Sequence, residues 1–150
     1  MSNKNRITSM RNYTKPEKKQ VVDDFLQMLR KAVAPYIKKY KEARKTPKGY
    51  WISDFSGYRI KDSSKVQVDH NAAIGKSFRQ LAHKFISDKQ IDLDLVSFMS
   101  KKELDSILKD WVQFHNIECE LQIVSASQNK YLWLKYKDKI NLPYTCFYIN

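Results

Sequence analysis

The amino-acid sequence predicts an α+β domain, and three observations carry that expectation. Apolar residues recur at helical spacing in three separate stretches, starting at Val21, Phe78 and Leu104. Two short stretches, Val66-Gln67-Val68-Asp69-His70 and Cys119-Glu120-Leu121-Gln122-Ile123-Val124, alternate as half-buried strands do. Finally, 150 residues of which 42% are hydrophobic can bury a core without disulfides or a structural metal, so one domain spanning 1–150 is expected.

In chain order, residues 1–14 carry Lys4, Arg6 and Arg11 among polar neighbours and read as a mobile basic arm. A helical layer follows over 15–46. Thr14 suits a cap, Pro16 and Glu17 a first turn, and Val21, Val22, Phe25, Leu29, Ala32 and Val33 a buried stripe. Pro35 removes a helical N–H and crowds the preceding turn, so a kink or break is expected near Ala34, with a second segment through Tyr36, Ile37 and Tyr40. Pro47-Lys48-Gly49 is a turn. Beyond it Tyr50–Ser53 and Gly57–Ile60 predict an irregular strand or hairpin.

Asp62-Ser63-Ser64 turns the chain into the first alternating strand. Val66, Val68 and His70 share one of its faces and Gln67 and Asp69 the other, so the strand must end or twist for Asp69 and His70 to serve one site. Ser77 caps a helix whose stripe is Phe78, Leu81, Ala82, Phe85 and Ile86. Ser100 and Glu103 have capping-box spacing for another, with Leu104, Ile107, Leu108, Trp111, Val112 and His115 inward. His83 falls on a surface and His115 among core side chains. Residues 91–99 have no assignable period. After the second strand, Ser125 and Gln128 form a further capping box, and a helix runs from there to about Lys137 with Asn129 in its first turn. Pro143 ends helical continuation, and 138–150 reads as a packing tail or final strand. Tyr131, Trp133, Tyr136, Phe147 and Tyr148 suit stacking on bases, but core positions are their default.

Lys and Arg outnumber Asp and Glu 28 to 16, and a net charge of +12 attracts polyanions, nucleic acid first and an anionic membrane surface second. The densest basic run is Lys38, Lys39, Lys41, Arg44, Lys45 and Lys48. Cys119 and Cys146 lack Cys-x-x-Cys spacing, so neither a zinc ribbon nor a disulfide framework is indicated. No stretch reaches the roughly 18 apolar residues of a membrane span, and neither a signal peptide nor a membrane partner is indicated; a cytoplasmic protein is expected.

A carboxylate beside an imidazole at a strand end, with a carboxamide at a later helix start, has the parts for phosphodiester hydrolysis. Asp69 and Asn129 offer hard oxygen donors suited to Mg²⁺, and His70 can accept a proton from water. These residues, with the strand Leu121–Ser125, resemble the HNH or ββα-metal endonucleases, in the Asp-His and Asn variant found in phage junction-resolving enzymes and in RNA-guided nucleases. The resemblance implies a ββα core over 50–137 with a helical insertion at 77–115. It makes His70 the general base, Asp69 and Asn129 the ligands of one Mg²⁺ or Mn²⁺, and the products a 5′-phosphate and a 3′-hydroxyl. The family's middle Asn corresponds to Asn116, or alternatively to Asn71. Double-stranded or branched DNA is the expected substrate, reached through the basic run and through Lys130 and Lys135, with Lys76 and Arg79 near the developing charge. A homodimer and a bacterial or phage-infected cell fit this reading. The rival expectations are a non-enzymatic nucleic-acid-binding protein and a basic interaction or inhibitor protein.

Overall fold

Twenty-nine residues, Lys15–Ala43, form the first helix, α1, of the computed structural model, which describes residues 15–148. The expected basic arm at 1–14, with its Thr14 cap, lies outside the described residues. Val22, Phe25, Leu26, Leu29 and Val33 are buried along one side of α1, as their spacing requires. The expected break near Ala34 does not occur, because Pro35 sits inside a continuous helix. Leu29 and Val33 before it and Ile37 after it pack against the same core. Proline costs a helix interior about 3 kcal/mol, an amount that one or two well-buried side chains on either side offset. The far end of α1 is held as well: Tyr40 Oη donates to the Leu121 carbonyl at 2.9 Å.

The predicted hairpin forms from β1 (Trp51–Ile52) and β2 (Arg59–Ile60), antiparallel with Trp51 opposite Ile60. Next, β3 (Val66–His70) pairs antiparallel with β4 (Leu121–Ser125), placing Asp69 opposite Gln122 and His70 opposite Leu121. The strand does not end before the Asp-His pair; its ladder includes both residues.

Between these partners in sequence lie α2 (Phe78–Asp88) and α3 (Lys101–Glu118), both started by the serines that the sequence singles out. Gly75, at φ 78°, closes the turn from β3 towards α2 in a left-handed conformation that a side chain would strain. The untyped 91–99 stretch contains a 3₁₀ turn, Leu93–Phe98. Helix α4 (Ala126–Lys135) begins with a complete Ser125–Gln128 capping box; a break at Tyr136 then separates it from the short α5 (Lys137–Ile140). The tail makes a 3₁₀ turn, Tyr144–Phe147, rather than a strand, and buries Phe147.

Two apolar clusters result. The larger joins α1, α2, α3 and Phe147 around Trp111, whose indole N–H donates to the Leu29 carbonyl at 2.8 Å. The smaller consists of Trp51, Ile60, Val66 and Ile123, with Tyr40 and Val68 against it, and it fastens the two small sheets to the end of α1. Among the described residues no helix is long and apolar enough to cross a membrane.

Candidate active site

The loop before β2 and the start of α4 are tied together before any chemistry enters. Ser53, buried, donates its hydroxyl to Gln128 Oε1 at 2.7 Å, and Gln128 Nε2 donates to Ser56 Oγ at 2.8 Å. Asp54 Oδ2 accepts from the Ile123 N–H at 2.7 Å. These bonds, with the capping box, fix where α4 leaves β4 and therefore where Asn129 points. Asn129 lies one turn into α4 and donates its amide to Gln67 Oε1 on β3 at 2.5 Å. That leaves its carbonyl oxygen without a hydrogen-bond partner among the described residues.

Asp69 is on the same face of β3 as Gln67. One of its oxygens, Oδ2, accepts from Gln122 Nε2 across the ladder at 2.8 Å. Burial holds its carboxyl above the usual carboxylate range, and the Gln122 bond works in the opposite direction.

His70 faces the other way, into the larger core. Its ring meets Phe78 edge-on at 5.6 Å and His115 at 5.1 Å, and its Nε2 lies 2.8 Å from His115 Nε2. Burial above all, then His115 and Arg30, push its pKa down to about 3, so the ring is neutral at any ordinary pH. His115 is fully buried, its pKa also lowered by burial, and its Nδ1 pairs with Asn116 Oδ1 at 2.9 Å.

Although Asp69 and His70 belong to opposite faces, both reach one pocket of about 180 Å³, whose walls also include Arg30, Ser77, Asn129 and Trp133. Among the described residues β4 is the sole strand paired with β3, and the pocket draws on the consecutive β3 residues Val68, Asp69 and His70. Asp94 Oδ1, which is ion-paired with Lys18 at 3.6 Å, is the sole buried side-chain oxygen or nitrogen without a hydrogen-bond partner among the described residues. The free oxygens of Asp69 and Asn129 and the Nδ1 of His70, which have no hydrogen-bond partner there, are therefore not fully sealed from solvent.

A larger cleft of about 350 Å³ lies between α1 and the Leu93–Phe98 turn. Its lining is mostly apolar, with Asp24 and Asp94 and no Lys, Arg or His, which makes it unsuited to phosphate.

Most of the other residues singled out from sequence do not line the pocket. Lys76 pairs with Glu120 at 3.8 Å, and Arg79 with Asp23 at 3.7 Å while donating to the Leu142 carbonyl at 2.7 Å. The basic run gathers about the end of α1: Arg44 lies 4.7 Å from the Tyr40 ring, and Lys41 and Lys45 lie 5.7 and 5.3 Å from that of Trp51, with Lys38, Lys39 and Lys48 exposed. Lys130 and Lys135 are exposed on α4. Asn116 contacts His115, and Asn71 caps the turn after β3 through Ala73 N–H at 3.2 Å.

Three features in and behind the pocket are not legible in the sequence. Arg30, stacked 4.1 Å over Phe78, comes from a helix expected to be packing alone. His115 was expected merely to be a core side chain; its position on the α3 stripe gives no hint of a histidine partner on β3. Trp133, like Tyr131, is about half exposed rather than in the core.

Among the described residues no group of three or more His, Cys, Asp or Glu side chains is arranged to hold a metal ion. A cation here would take Asp69 and the Asn129 carbonyl as protein ligands and complete its shell from solvent or substrate. Two open oxygens, one of them anionic, fit a hard, well-hydrated divalent ion. No protein-family model matches the chain, and neither a curated protein nor a solved structure does.

Proposed function

We propose that this protein is a divalent-metal-dependent endonuclease with a ββα-metal core, hydrolysing DNA phosphodiester bonds to leave a 5′-phosphate and a 3′-hydroxyl. One observation carries the reading: antiparallel β3 and β4 followed by α4 bring Asp69, His70 and Asn129 to a single pocket, with the Arg30 cation beside them.

In this reading Asp69 and Asn129 hold Mg²⁺, or Mn²⁺ in its place. When bound, the cation would neutralise charge on the phosphate and stabilise the leaving 3′-oxygen. His70, already neutral, is in the form that can accept a proton from the attacking water. Its burial weakens it as a base, but a phosphate entering the pocket adds negative charge beside the ring and raises its affinity for a proton. Arg30 supplies a fixed positive charge for the equatorial oxygens, the part that sequence position alone assigns to Lys76 and Arg79. The net charge of +12 supports a polyanionic substrate, with the exposed lysines of α1 and α4 as phosphate contacts.

The test is nicking of supercoiled plasmid in Mg²⁺. Wild-type protein should cut and chelation should stop it, end-labelling should find a 5′-phosphate, and His70→Ala should lose at least about a hundredfold in rate while still binding DNA. A second reading, a nucleic-acid-binding protein without catalysis, draws on the half-exposed rings of Phe55, Tyr131 and Trp133. Salt-sensitive binding with no cutting under any divalent cation would favour it.

A further inference from the structure

We infer that Asn116 and His115 form a two-step relay that sets the tautomer of His70, placing its one ring proton on Nε2 and leaving Nδ1 bare for the pocket. The chain of contacts is Asn116 Oδ1 to His115 Nδ1 at 2.9 Å, then His115 Nε2 to His70 Nε2 at 2.8 Å. A carboxamide oxygen can only accept, so His115 Nδ1 carries a proton. A neutral imidazole has one N–H, which leaves His115 Nε2 with a lone pair. Two ring nitrogens this close must share one proton, so it comes from His70 Nε2.

His115 is fully buried and His70 nearly so, and their rings meet each other, Asn116 and aromatic side chains, so a second proton on either would be an uncompensated buried charge. The direction of the whole relay thus follows from one amide oxygen on α3. Were Asn116 to present its NH₂ instead, every step would reverse and His70 Nδ1 would hold the proton, unable to accept another. Cys119 N–H donates to the His115 carbonyl at 2.8 Å, and the His115 ring packs against Tyr36 and Trp111, so the relay is seated in rigid structure.

The tautomers follow from these contacts alone; their catalytic use rests on the nuclease reading. Asn116 and His115 touch no substrate in this scheme and act as positioning residues.

The experiment is two-bond ¹H–¹⁵N correlation NMR on the full chain with ¹⁵N-labelled histidine, metal-free at neutral pH, alongside plasmid nicking. His70 should appear as the Nε2–H form and His115 as the Nδ1–H form. In Asn116→Leu, with fold checked by circular dichroism, both rings should lose their single-tautomer patterns. The same variant should lower kcat about tenfold or more with KM little changed. A wild-type His70 carrying its proton on Nδ1 overturns the relay even if the protein cuts DNA, and so does an unchanged His70 pattern in Asn116→Leu. If the tautomers are as stated but wild-type protein never cuts, the nuclease reading fails and the relay stands.

Discussion

Asn129 on α4 and Gln67 on β3 share a side-chain hydrogen bond at 2.5 Å, and this contact aims the Asn129 carbonyl. A carboxamide held by its nitrogen has its oxygen turned away, towards whatever the pocket holds. Gln67→Ala frees the amide to rotate. We expect the Mg²⁺ concentration for half-maximal nicking to rise roughly tenfold or more, as when a metal ligand loses the group that orients it. Metal titration of the nicking rate, with Mn²⁺ binding followed by electron paramagnetic resonance, measures this; an unchanged midpoint would remove Asn129 as a ligand.

Burying two histidines uncharged makes stability depend on pH. Unfolded, each ring binds a proton near its ordinary pKa of 6.5; folded, His70 does so only at about 3. The stabilising contribution is therefore complete above about pH 6.5 and is lost progressively as pH falls towards 3. For His70 alone the loss reaches about 2 kcal/mol by pH 5, and His115 adds to it in the same direction. Urea denaturation of metal-free protein at pH 7.5 and pH 5 should show it. His70→Phe should have a flatter profile, and equal stability at the two pH values in the wild type would contradict the buried neutral pair.

Arg30→Ala should lower kcat by about tenfold to a thousandfold, because removing a positioned charge near a developing one costs a few kcal/mol. Plasmid affinity should change far less, since one cation among 28 Lys and Arg contributes little to overall charge. Lys48→Ala should do the reverse, reducing the salt dependence of binding slightly and leaving the cutting rate of bound DNA intact. Filter binding across a salt series and single-turnover nicking separate the two effects.

The junction of β4 and α4 offers a stability test. Ser125→Ala removes an N-cap acceptor and should cost about 1 kcal/mol. Ser53→Ala leaves the Phe55 and Ser56 N–H groups and Gln128 Oε1 each short of a partner, so about 1–3 kcal/mol is expected. Denaturant midpoints would show whether Ser53, buried and multiply bonded, matters more than the half-buried Ser125 cap.

Local pattern was enough for the elements themselves. Period-two alternation identifies β3 and β4, period-3.6 stripes identify α1, α2 and α3, and the Ser77, Ser100 and Ser125 caps mark where helices begin, because each of these signals is written within a few residues. It failed where a distant partner overrides a local preference. Pro35 predicts a break, but the core on both sides of it holds the helix together.

From sequence alone one can read a strand ending in Asp69-His70, a capped helix starting just before Asn129, and a strongly basic chain. Tertiary structure alone decides that these groups share a pocket, that Arg30 enters it from α1, and that His70 turns inward to meet His115, 45 positions away. The physical reason is that periodicity and capping are properties of neighbouring residues. Which side chains meet across a core depends instead on how whole elements pack, and that is not written in any single stretch.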